Sequence, residues 1–488
     1  MTVRLTGAAL LAAALFAPAL AQSPAPQAPK EPFTRTTPAP NETPSTTPAA
    51  SPVTPDYPLA TFVPATPSNY TVADRPASGE INMVLIHDIE GSGEACLSWF
   101  QNPAAKATSH YVTNSKGQVW QMVKEKDVAW HAGNWEINQH SVGIENEGFA
   151  YRPGFFVPSE YEGLAKLVRD ITARYKIPRD RQHIIGHSEV PNPNKPGAFG
   201  GGGGHTDPGP YWDWDSFMTM VRNDARIVSR DIPATIRPGE LLPASVKVMN
   251  TGDDAWTANN SGAQDEKVKQ NGGVYLGVYP TGDASPFFNY KFWTSPKMAS
   301  SLTNGDTAQG TEGAFSFQLL GPRKYGVYEQ KYRVTHYPVA PFTPTAFGEI
   351  LTATTTVVPW EIVVSAKDAK PAVGWNSKDG VAWRKTTKEA GGAGFEWTAK
   401  LPIKGTWDVY ARWSPGMSHT RKATFNVSGD ANVNPTPVTV DQRKGGGWWK
   451  LGRFDYQKVD AVTVNLSAAG APGVVVADSI RLVGPFEK

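Results

Sequence analysis

Apolar residues at helical spacing are confined to the first half of this chain. Leu164, Leu167, Val168 and Ile171 recur at intervals that line one face of a helix, and Pro178 ends the run. From residue 227 onward that period disappears and alternation replaces it. Val246-Lys-Val248, Phe315-Ser-Phe317 and Tyr332-Arg-Val334 alternate in one stretch. Trp407, Val409, Ala411 and Trp413, then Ala423, Phe425 and Val427, then Val462, Val464 and Leu466 do so in another. A period of two sends alternate side chains to one face of a sheet. The predicted fold class is therefore multidomain: an α/β domain, with a mixed central sheet flanked by helices, followed by two all-β sandwich-like domains.

Composition supplies the boundaries. Residues 1–21 read as a signal peptide, with Arg4 before the apolar run Ala8–Ala17 and Ala19-Leu20-Ala21 as a small-x-small cleavage site. Residues 22–59 form a Pro/Thr/Ala-rich linker that buries too little apolar surface to offset its ordering entropy. The α/β domain is expected over 60–225, the first β-sandwich over 226–366 and the second β domain over 367–488. After signal cleavage no transmembrane segment is expected, because no other stretch is long and apolar enough. The net charge of +2 gives no strong field for nucleic acid or an anionic membrane. Cys96 is the single cysteine, so no intrachain disulfide forms and hydrophobic cores must hold each domain.

The chemistry concentrates in the α/β domain. Seven of the nine histidines lie between His87 and His205. His87 ends the apolar run Ile81–Ile86, and His187 ends Arg181–Gly186. The C-terminal ends of strands in open α/β sheets are where sites collect. Asp207 lies in the turn Thr206-Asp-Pro-Gly209. Two imidazoles and a carboxylate, with a fourth position open, make a catalytic zinc set. Ser141–Glu145 reads as a strand, and Glu145 and Glu147 face the same side of it. Alternation alone does not choose between them as the proton-transfer group. His131, beside Trp130 and Trp135, is either a cleft wall or a packing residue. His110 reads as structural, His140 and His183 carry no assigned role, and Cys96 reads as a small buried hydrophobe on a helix over Glu94–Phe100. Ser159 and Glu162 have the spacing of a capping box.

Six phrases occur in a fixed order: LIHDIEGSG (85–93), SHYVTNSKGQVWQMV (109–123), AWHAGNW (129–135), SVGIENEG (141–148), IIGHSEVP (184–191) and HTDPGPYWDW (205–214). Together they resemble the zinc-dependent N-acetylmuramoyl-L-alanine amidases of the phage-lysozyme and peptidoglycan-recognition-protein type. The resemblance implies Zn2+ held by His87, His187 and Asp207, with Glu145 as the catalytic acidic residue. His205 would stabilise the oxyanion, and His131 and Trp130 would contact substrate. It also implies cleavage of the muramoyl–L-alanine amide of peptidoglycan. A binder of muropeptides or a structural envelope protein on the same fold is the alternative. Two features depart from the pattern: Ser109, where some relatives carry Tyr, and an insertion over Asn192–Gly204 that ends in five glycines. The insertion is expected to be a flexible flap at the cleft.

Asn250-Thr-Gly252 and Trp256 resemble an Ig-like sandwich. Trp407–Trp413, Val440-Asp-Gln442, Gly447–Gly452 and Val476–Arg481 resemble the golvesin C-terminal domain. That resemblance makes Trp448 and Trp449 candidates for stacking on sugars. Expected partners are peptidoglycan or muropeptides, with other envelope proteins or glycans at the β domains. The expected location is exported: periplasm, cell wall or cell surface.

Overall fold

The computed structural model describes residues 53–259, 273–337, 343–369, 373–386, 394–428 and 437–486. The predicted signal peptide and linker up to Pro52 lie outside the described residues. The last part of the expected linker belongs to the first domain instead. Tyr57 is buried in its core, and Asp56 pairs with Gln121 (2.6 Å) and with Lys124. These few residues carry one aromatic anchor and one acid among prolines, too little for a pattern to mark.

The first domain is built on a six-stranded mixed sheet. Its strands are β1 (Thr61–Phe62), β2 (Met83–Asp88), β3 (Tyr111–Thr113), β4 (Val119–Gln121), β5 (Ser141–Asn146) and β6 (Ile184–Gly186). Their spatial order is β1-β4-β3-β5-β2-β6. Strands β2, β5 and β6 run parallel, and β3 and β4 form an antiparallel hairpin. Four helices accompany them: α1 (Gly93–Phe100), α2 (Trp135–His140), α3 (Pro158–Tyr175) and α4 (Trp214–Arg222). Val84, Leu85 and Ile86 are fully buried, as a central strand covered on both faces requires. Leu164, Leu167, Val168 and Ile171 of α3 are equally buried. The helix ends on Lys176 in the left-handed conformation (φ 57°), two residues before Pro178.

The capping box predicted at Ser159 is absent. Pro158 occupies the first helical turn, where its missing N–H is no loss. Ser159 instead donates to the Ser115 carbonyl (2.5 Å), and Glu162 pairs with Arg333 of the next domain.

That next domain packs a five-stranded sheet on a three-stranded one, around Trp256, Trp293, Phe315 and Phe347. Its first strand, Ala225–Asp231, follows α4 directly. The last domain has its own core around Trp397, Trp407, Trp413 and Phe425. The strand just before the expected boundary at 366 joins the sheet of the last domain. Strand Trp360–Ser365 pairs along its whole length with Ser479–Phe486. Both sandwiches alternate alike, so hydrophobic patterning carries no signal at this junction.

The first two domains meet along an ionic seam. Arg333 pairs with Glu162, Arg179 with Asp253 (3.1 Å) and Arg222 with Asp254 (2.5 Å). A cavity of about 420 Å³ lies in this seam, lined by Arg169, Arg179, Arg333 and Phe347 among others. Among the described residues, no helix is long and apolar enough to cross a membrane.

Glu160, in the first turn of α3, is fully buried. Burial, reinforced by Glu147 and Asp88, pushes its carboxyl up to about 8. The unfolded value is about 4.3, so the folded chain holds this proton more tightly. The resulting stabilisation is complete below about pH 4 and is lost as pH rises through about 8. Glu160→Gln is expected to raise the melting temperature at alkaline pH relative to wild type and to change it little in mild acid. Thermal unfolding at both pH values checks this, and an equal loss at both would contradict it.

Candidate active site

The parallel strands deliver the polar groups at their C-terminal ends. His87 is the fifth residue of β2, and its register partner on β5 is Glu145. Residues paired across parallel strands project to the same face, so this acid and this imidazole lie side by side. His187 follows β6 at once. Asp207 returns to the same place because Gly186 leaves room for it: a Cβ there would lie 2.8 Å from Pro208 Cδ. The Asp207 carbonyl also accepts from Ser188 N (2.9 Å).

Three side chains converge. His87 Nδ1 lies 3.1 Å from His187 Nδ1 and 3.2 Å from Asp207 Oδ2, while His187 Nδ1 lies 3.2 Å from Asp207 Oδ1. Zinc bonded at about 2.0–2.1 Å in a tetrahedron separates its donors by roughly 3.3 Å. The three side chains therefore form a triangle whose nearest separations, measured to one or other Asp207 oxygen, match those between neighbouring ligands of such a tetrahedron. The protonation states agree. Burial, with His187 beside it, pushes His87 down to about 4, so the ring is neutral with a lone pair to give. Burial alone would raise the Asp207 carboxyl, but bonds to His187 and His87 outweigh it and hold the group well below the usual carboxylate range. Of all His, Cys, Asp and Glu side chains among the described residues, these three form the one group close enough to share an ion.

Behind the triangle the rings are braced. His87 Nε2 lies 3.1 Å from His131 Nδ1, and His131 Nε2 lies 3.2 Å from Ser141 Oγ. Asn138 Oδ1 accepts from the backbone of His131 (3.1 Å) and Ala132 (2.8 Å). Gly143 makes space for this brace, since a Cβ there would come 2.4 Å from His131 Cγ. His187 Nε2, by contrast, is buried and meets no partner among the described residues. Its ring is instead covered by His205, which stacks on it at 4.4 Å between centroids and 14° between planes.

Glu145 and Glu147 separate clearly. Glu147 accepts from Gly93 N (3.0 Å) at the start of α1 and from Ser115 Oγ (2.8 Å), which commits it to structure. Glu145 faces the triangle. Burial first, then the charges of Asp207 and Asp88, push its carboxyl well above the usual range. A carboxyl that readily binds a proton beside a metal-sized triangle suits proton transfer.

A family model described as N-acetylmuramoyl-L-alanine amidase matches residues 77–210, and one described as Golvesin C-terminal domain matches 366–484. The N-acetylmuramoyl-L-alanine amidase A of Achromobacter lyticus is 34% identical over 176 residues, covering 34% of this chain and 95% of that protein. The chain belongs to the N-acetylmuramoyl-L-alanine amidase family. AmiD of Escherichia coli K12 is 29% identical over 160 residues, 29% of this chain and 53% of its own length. A xanthan lyase of Bacillus sp. GL1 is 33% identical over 90 residues, 18% of this chain and 10% of that enzyme. Among solved structures, an AmpD derivative superposes with a TM-score of 0.26 at 24% identity, over 33% of this chain and 92% of that one.

Within this amidase the other residues singled out in the sequence are placed as follows. His131 is buried behind His87 rather than exposed as a cleft wall, because the loop it begins turns inward to meet Asn138. The half-buried Trp130 is pinned by its Nε1 to Thr71 Oγ1 (2.9 Å). The glycine-rich insertion is no free flap. Gly201 N donates to the Val190 carbonyl (3.0 Å) and Gly202 N to that of Gly133 (2.8 Å). Cys96 packs in a small apolar cluster with Phe100, Val112 and Met122.

Sequence reasoning missed two buried charges. Arg75 donates to the carbonyls of Asn138, Gln139, Ser141, Glu125 and Asp127 and so ties together the loops under His131. Glu125 accepts from Tyr111 (2.6 Å), Tyr175 (2.8 Å) and Arg174. Neither residue has a local spacing that announces it. Replacing His131 by Phe keeps the ring volume and removes the contact to His87. Loss of such an outer partner weakens metal sites roughly 10–100-fold. A drop of that size in zinc affinity, read by chelator competition, is expected, and unchanged affinity would rule out the brace.

Proposed function

We propose that the protein is an exported zinc hydrolase that cleaves the amide bond between N-acetylmuramic acid and L-alanine in peptidoglycan. The observation that carries this reading is the zinc-sized triangle of His87, His187 and Asp207 directly beside Glu145. Relatives across the catalytic domain bear the same activity in their names. Export rests on residues 1–21, which have the make-up of a secretory signal. The site of action is then the periplasm, cell wall or cell surface.

His87, His187 and Asp207 would hold the ion. A bound Zn2+ supplies Lewis acidity toward the carbonyl and lowers the pKa of water to about 7. The chain's own groups perform the proton traffic. Glu145 takes the proton from the attacking water as the bond to the lactyl carbonyl carbon forms. It returns that proton to the L-alanine nitrogen as the C–N bond breaks, and the second water proton follows from the new carboxylic acid to the amine, leaving a lactyl carboxylate and an L-alanine ammonium. His205 donates one ring N–H to the oxygen that gains charge. Burial and His187 lower its affinity for a proton, so it acts as a neutral donor rather than a cation. Substrate contact is assigned to Trp130, with His131 as the support of His87. The β domains would contact envelope proteins or glycans. Trp449 is half exposed for this, while Trp448 is flanked by Arg481 (4.9 Å) and Arg412 (5.5 Å).

Digestion of purified sacculi is expected to release peptides with free L-alanine amino termini, and a chelator is expected to stop release. Glu145→Gln should keep bound zinc and lose roughly 10²–10⁴-fold in kcat. Tight muropeptide binding without product, in zinc-loaded wild type, would favour a recognition protein instead.

A further inference from the structure

Five consecutive glycines ordinarily read as a flexible linker, yet Gly200–Gly204, although partly exposed, is tied down by backbone hydrogen bonds. Beyond the bonds from Gly201 and Gly202 already described, His205 N donates to the Gly200 carbonyl (2.7 Å) and closes the segment on itself. Residues Gly201–Gly203 form a turn of 3-10 helix. Gly200, Gly201 and Gly204 have φ of 85°, 61° and 68°, a region glycine enters freely and other residues rarely. Steric demand is equally specific. A Cβ on Gly201 would lie 2.2 Å from the Ala132 carbonyl oxygen, and one on Gly133 would lie 2.9 Å from Gly202 N. A Cβ on Gly203 would lie 2.5 Å from His205 Nε2. The segment is thus clamped backbone to backbone onto Ala132–Gly133, and its inner surface is shaped to the His205 ring.

His205 has little else to hold it. Its side chain is 55% exposed, and the nearest carboxylate oxygen, Asp207 Oδ1, is 4.0 Å away. Its firm contact is the face-to-face stack on His187. We infer that Gly200–Gly204 is a positioning strap that fixes the His205 ring against His187, so that a half-exposed side chain presents its N–H at one place in the site. The inference rests on the amidase reading for its kinetic consequence, but its geometric core stands apart from it. Gly133, Gly201 and Gly203 are the positioning residues.

The test uses the full-length chain and a soluble N-acetylmuramoyl peptide. His205→Ala is expected to lower kcat about 10²-fold with little change in KM. Gly203→Ala, which pushes the ring aside without removing it, should produce a loss of the same kind. The double variant should be no worse than His205→Ala alone, because both changes remove one interaction. Gly133→Ala disturbs the strap from the opposite side and repeats the cycle should Gly203→Ala fold poorly. In the metal-free protein, the NMR cross-peak between the His187 and His205 rings should vanish in each glycine variant. Wild-type kcat with the cross-peak retained, or fully additive losses, would overturn the strap. Absence of product from zinc-loaded wild type would instead count against the amidase reading and leave the cross-peak measurement to judge the geometry.

Discussion

Close backbone approach sets the spacing on which this site depends. Three side chains drawn from residues 87, 187 and 207 share one point only if the chain segments beneath them draw nearer than a Cβ permits. Gly186 lets the Asp207 loop fold down beside His187, and Gly143 lets His131 slide under His87. The parallel pairing of β2 with β5 then adds Glu145 to the group without any further device. Methyl groups at these glycines would act on the positions of the donors rather than on their chemistry.

Electrostatics is organised around the same point. The interior of the first domain holds Arg75, Glu125 and Glu160, each buried. A buried charge is tolerated when its hydrogen-bonding capacity is met. Arg75 meets that condition with five carbonyls, and Glu125 with two tyrosines and an arginine. Glu160 follows the other route and favours its neutral form. The candidate ligands have the states that a metal would need: neutral imidazole at His87 and ionised carboxylate at Asp207.

Much of this was legible from residue order because periodicity and strand-end position report on burial directly. The run Ile81–Ile86 and the α3 repeat both correspond to elements of the structure. The ordered phrases around His87, His187 and Asp207 pointed to residues that the fold brings within 3.2 Å of one another. What stayed hidden depends on contacts distant in the chain. Arg75 meets its carbonyl partners 50–66 residues away, beyond the reach of any local pattern. Glu145 and Glu147 are alike in sequence, and only the proximity of Gly93 and Ser115 to Glu147 tells them apart. Five glycines look the same whether they are loose or wedged, since the difference lies in Ala132 and Gly133. The pairing of Trp360–Ser365 is invisible locally because its partner strand lies more than a hundred residues later.

The ionic seam between the catalytic domain and the first sandwich bears on how such a chain can be dissected. Glu162 is capped by Arg333 and by the Tyr279 hydroxyl (3.3 Å). A fragment cut after α4 would keep Glu162, Arg179 and Arg222 while discarding their counter-ions. The excised piece would inherit a raw, charge-mismatched flank. Its solubility and heat tolerance would then describe the wound as much as the enzyme, so comparisons with single-domain relatives call for the intact pair.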